Sequence, residues 1–91
     1  MNAKDRLNIV VAGKRGDYFV WTLATWCREL RDFLEEELGY KVTVEVREED
    51  AELPRLYVNG ILVLEGVPGE EGYLIEILKH FVEKAREKGI I

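Results

Sequence analysis

Leu53-Pro54-Arg55-Leu56-Tyr57-Val58-Asn59-Gly60-Ile61-Leu62-Val63-Leu64 carries two apolar runs on either side of Asn59-Gly60. Asn-Gly tolerates positive φ at both central positions of a two-residue type I′ turn, so the stretch reads as a β-hairpin. The turn sets an expected pairing of Val58 with Ile61, Tyr57 with Leu62 and Leu56 with Val63. One face then carries Leu56, Val58, Ile61 and Val63, and the other carries Tyr57, Leu62 and Leu64. Both faces are apolar, so the hairpin belongs in a sheet that is either covered on both sides or left with one adhesive face.

Outward from the hairpin, the chain supplies the other layers. Leu7-Asn8-Ile9-Val10-Val11-Ala12 is a nearly continuous apolar run ending at Gly13, which predicts a buried central strand. Gly13-Lys14-Arg15-Gly16 reads as a turn, with Asp17 as the N-cap of a helix that stops at Gly39. Val20, Leu23, Cys27, Leu30, Leu34 and Leu38 recur three and four apart and form its core stripe. Trp26 and Phe33 flank that stripe, and Trp21 lies well off it. Glu35-Glu36-Glu37 reads as a solvated helix end without a role.

Lys41 to Arg47 alternates valine with polar residues, the pattern of a half-exposed strand with its valines facing inward and Lys41, Thr43, Glu45 and Arg47 facing water. Strand, long helix and strand predict a right-handed βαβ unit with parallel strands. Glu48-Glu49-Asp50-Ala51-Glu52 is an acidic connection with room for one helical turn. After the hairpin, Gly66-Val67-Pro68-Gly69 breaks the chain. A last helix is expected from Glu70 or Glu71 to Gly89, with Leu74, Ile75, Ile77, Leu78, Phe81, Val82 and Ala85 as its apolar positions. The expected order is β-α-β-β-β-α in one domain spanning 1–91: a two-layer α+β fold with a four-stranded mixed sheet and both helices on one face.

Composition bounds the function. A chain of 91 residues buries roughly 60–65% of its unfolded surface, enough for one modest core. A net charge of −5 argues against nucleic-acid binding, which depends on clustered cations. No run approaches the ~20 apolar residues of a membrane span. The polar opening Met1-Asn2-Ala3-Lys4-Asp5-Arg6 has no apolar signal segment, so a cytoplasmic location is expected. Serine and glutamine are absent and Glu, Lys and Arg abundant, a balance that leans towards a heat-adapted source. The single cysteine, Cys27, excludes an intramolecular disulfide, and its place on the core stripe predicts a buried, inert thiol.

A βαβ unit followed by a ββα unit, with a proline entering the hairpin, resembles the thioredoxin-like fold. Leu53-Pro54-Arg55-Leu56-Tyr57-Val58-Asn59-Gly60 looks like that family's cis-proline strand and turn. Gly66 and the helix from Glu70 look like the glutaredoxin ending, and the absence of a full helix between the second and third strands is closer to the small selenoprotein W-like members. The resemblance implies a cis Leu53–Pro54 bond beside an active-site turn. The family's Cys-x-x-Cys would fall in Ala12-Gly13-Lys14-Arg15-Gly16-Asp17, where no sulfur is present. Dithiol oxidoreductase activity is therefore not expected, and the reading leans away from an enzyme.

Two binding surfaces remain as expectations. Gly13, Lys14, Arg15 and Gly16 precede a helix N-terminus beside Pro54, where a small anion or thiol ligand could sit without a cofactor; the competing reading is a solvated basic turn. The second is the sheet face away from the helices, where Tyr57, Leu62 and Leu64 would form an apolar patch rimmed by Lys41, Thr43, Glu45 and Arg47. Trp21 is a further candidate anchor. This predicts an interaction module binding another protein or itself, with a homodimer the simplest form. The competing reading has the acidic connection fold over that face. His80, between Glu76 and Glu83 on the last helix, reads as a solvated side chain and not as a metal ligand.

Overall fold

The computed structural model describes residues 6–91, so the polar opening, Arg6 apart, lies outside the described residues. Its elements are β1 (Arg6–Gly13), α1 (Tyr18–Leu38), β2 (Lys41–Glu48), β3 (Arg55–Val58), β4 (Ile61–Glu65) and α2 (Glu71–Glu87). They form one four-stranded sheet in the order β2-β1-β3-β4. β1 and β2 run parallel, while β3 is antiparallel to both β1 and β4. The fold is α+β with a mixed sheet and two helices, as the sequence predicts.

Local chemistry accounts for the element ends. Asp17 caps α1 by accepting the Phe19 N–H at 2.9 Å, and Gly39 closes the helix at φ 76°. Asn59 and Gly60 both take positive φ, 51° and 83°, as a type I′ turn requires. Asn59 does more than turn the chain: its Oδ1 accepts the Asn8 N–H at 2.8 Å and its Nδ2 donates to the Arg6 carbonyl at 3.2 Å. The hairpin tip is thereby tied to the start of β1.

One core joins Leu7, Ile9 and Val11 of β1, Leu23, Cys27 and Leu34 of α1, Leu56 and Val58 of β3, and Leu74, Leu78 and Val82 of α2. The β1 members alternate, so both helices cover the same sheet face. The helices run parallel: Lys79 Nζ bonds Glu37 Oε1 at 3.1 Å, and Arg86 donates to the Tyr40 hydroxyl at 2.9 Å and the Leu38 carbonyl at 2.6 Å. Glu37 thus has a partner, contrary to the reading of 35–37 as a solvated end.

Three details differ from expectation. Leu56 pairs with Leu64 and Tyr57 with Leu62, so Val63 is an extra residue in a β-bulge and is not the partner of Leu56. The connection over 49–54 holds no helical turn. The Leu53–Pro54 bond is trans, against the cis bond that the resemblance implies.

Candidate functional site

The turn after β1 and Pro54 do meet, but as packing. A Cβ built on Gly13 would stand 2.3 Å from Val20 Cγ2 and 3.5 Å from Pro54 Cα. Gly13 is present because the first turn of α1 closes on it. Gly13 and Pro54 are buried, while Lys14, Arg15 and Gly16 are exposed. Of the five residues expected to gather round a ligand, only these last three face solvent.

Cys27 is fully buried on the α1 stripe, and burial pushes its thiol up to about 12. Nucleophilic chemistry needs the thiolate, and burial favours the neutral thiol near neutral pH.

The sheet face away from the helices is not the apolar patch expected. Because of the bulge, Val63 and Leu64 both pack against the core, and Leu64 leaves the proposed set. Tyr57 is half-buried, and its hydroxyl donates to Glu49 Oε1 at 3.2 Å. The same oxygen takes Arg55 Nη1 at 2.9 Å, and Arg55 Nε reaches Glu65 Oε2 at 3.4 Å. The acidic connection therefore folds onto this face through Glu49. Val10 and Ala12, the β1 neighbours of Tyr57 and Arg55, are buried although they lie on the sheet face away from α1 and α2. Of the expected patch, only Leu62, at 46% exposure, stands open. It also helps line an apolar groove of about 430 Å³ with Ile77, His80 and Phe81 of α2.

A cluster of exposed aromatic residues lies instead at the start of α1. Tyr18, Phe19 and Trp21 are 67%, 56% and 61% exposed. Tyr18 stacks on Trp21 with ring centroids 6.0 Å apart and meets Phe19 edge-on at 5.8 Å. Trp21 and Tyr18, with Gly16, Ala24 and Arg28, line an open groove of about 420 Å³ whose other wall is Val46 of β2. Val46 is itself 49% exposed, whereas Val42, on the same face of the same strand, is buried. Trp21 is where the sequence places it; Tyr18, Phe19, Arg28 and Val46 were missed. A signal for one of them was present, since Tyr18 lies three residues before Trp21 on the same helix face, opposite the stripe.

The groove runs along the outer edge of β2. The Glu49 N–H donates to the Gly13 carbonyl at 2.8 Å, so odd-numbered β2 amides point at β1 and even-numbered ones point outward. The Val42 N–H, an outward one, is taken by Glu35 Oε2 at 2.8 Å. Glu35 thus plugs the edge at its start. Among the described residues, the outward N–H and C=O groups of Val44, Val46 and Glu48 have no strand beside them.

Between the helices, Glu71 lies against Glu29. Burial, then the Glu29 carboxyl beside it, holds the Glu71 carboxyl above its ordinary range, and its Oε2 is closed off without a hydrogen-bond partner. No helix among the described residues is long and apolar enough to cross a membrane. Comparison with protein-family models and with curated proteins finds no match for this chain.

Proposed function

We propose that this chain is a non-catalytic, cytoplasmic protein-interaction module with a thioredoxin-like arrangement, and that it binds through the groove between α1 and the β2 edge. The β2-β1-β3-β4 order with both helices on one face supports the arrangement; the trans Leu53–Pro54 bond weighs against it. The buried thiol of Cys27 weighs against the rival reading, a divergent redox or ligand-binding protein built on the 13–17 turn and Pro54.

The observation that carries the interaction reading is the Tyr18–Phe19–Trp21 cluster. Three aromatic rings of one helical turn pack on each other and face solvent beside an open groove. Large rings lose most by staying wet, and Trp and Tyr dominate the energetics of protein interfaces. The open sheet face is the weaker surface, because Glu49, Arg55 and Tyr57 already satisfy one another across it.

A photo-reactive phenylalanine at position 21 tests the reading in cells, with the same group at Tyr73 as control. Tyr73 is 60% exposed, so simple accessibility is matched. Protein adducts concentrated at position 21 are expected. Equal labelling at both positions would refute the reading.

A further inference from the structure

Resting on that reading, we infer that the occupant of the groove is a second copy of this chain, added antiparallel along the β2 edge about a two-fold axis at Val46. Both sheet edges were open to this role. β4 is short, and the bulge at Val63 breaks its regularity, a common way of blunting an edge. β2 keeps unbroken register with β1 from Lys41 to Glu48 and contains no proline.

Backbone direction and charge then select one register. Outward amides must meet outward amides, so the paired residue numbers must have an even sum. Pairing about Thr43 needs the Val42 N–H, which Glu35 holds. Pairing about Val44 sets Lys41 against Arg47, and pairing about Glu45 sets two carboxylates together at the axis. Pairing about Val46 has none of these faults. Val46 exchanges both N–H···O bonds with its mate, Val44 does so with Glu48, and each Glu45 stands opposite Arg47 of the other copy.

The same register brings the second copy over the groove lined by Tyr18, Trp21 and Val46. Val46 is the open end of the valine row and lines one groove with Tyr18 and Trp21. The two copies of α1 come together antiparallel over the seam. A strand edge alone is small. Aromatic rings of roughly 150–250 Å² each extend it towards the ~1,200 Å² of a stable interface. The contact is isologous and closes at two copies.

Disulfide trapping tests the register. In it the Val46 Cα atoms lie about 5.5 Å apart, within disulfide range, and the Thr43 Cα atoms about 20 Å apart. V46C should cross-link to a dimer on mild oxidation and T43C should not; Cys27, buried, stays out of the reaction. Sedimentation across concentrations should show a dimer whose dissociation constant rises at least about tenfold in E45R and in R47E, and returns towards wild type in E45R/R47E. Circular dichroism confirms that each variant is folded. Cross-linking of T43C in place of V46C, or a folded wild-type monomer at every concentration, would overturn the proposal. A monomer whose position-21 probe captures other proteins would overturn the dimer while leaving the interaction reading intact. A monomer labelled equally at positions 21 and 73 would remove both.

Discussion

Replacing Gly13 with alanine tests the glycine with the least room for a side chain. The added Cβ would lie 2.3 Å from Val20 Cγ2, well inside any tolerated carbon–carbon separation. Val20 is buried and β-branched, so its χ1 offers few escapes. Pro54 is already in van der Waals contact with the same point, its Cα 3.5 Å away, so the site holds little spare room. Inserting one methyl into such a site costs about 1–3 kcal/mol. For a domain this size each kcal/mol lowers the melting temperature by roughly 4–8 °C. Urea unfolding followed by tryptophan fluorescence gives the value directly. Gly13→Ala combined with Val20→Ala isolates the cause: the double variant should be more stable than the sum of the two single losses, because the shortened side chain makes room. Gly13→Ala within about 0.5 kcal/mol of wild type, or strict additivity in the cycle, would refute the reasoning.

Three further outcomes follow from single side chains. Cys27 should resist thiol reagents in the folded protein and react at once in denaturant. Its folded pKa of about 12 lies above the ordinary 9.0, so stability should fall as pH rises from about 9 towards 12, and Cys27→Ala should remove that slope. The Glu71 carboxyl is held above its ordinary 4.5, so its protonated form favours the fold; Glu71→Gln should raise stability at pH 7, and the advantage should vanish in acid below about 4.5. Asn59→Ala should cost more than Asn59→Gly, since both lose the links to Asn8 and Arg6 but only alanine adds about 1 kcal/mol of positive-φ strain; equal losses in urea unfolding would contradict this.

Where a short local pattern sets the structure, the sequence is legible. Asp17 caps the helix that it precedes, Gly39 ends it, and Asn59-Gly60 turns the hairpin, because each acts within a few residues. The 3.6-residue period of α1 is enough to bury Cys27, and the alternation of β2 is enough to put its polar residues in water, although of its valines only Val42 is buried and Val46, expected inward, is exposed. Element order and the single helix-covered face follow from these patterns and from the handedness of βαβ connections.

What escaped the sequence depends on residues distant in the chain. A bulge of one residue leaves the apolar composition of β4 unchanged, yet it turns Leu64 into the core. Glu35 and Glu49 look like any solvated acid until folding brings one to the Val42 N–H and the other to Arg55 and Tyr57. The candidate site followed the same division. Trp21 stood off the helical stripe and could be singled out, but its partner across the groove, Val46, belongs to a strand that reads as regular along its whole length. Only the lateral placement of α1 over the edge of the sheet decides that Val42 is covered and Val46 is not. Local geometry is written in neighbouring residues. Which surface stays open depends on how packed layers overlap, and that is settled only when the chain closes on itself.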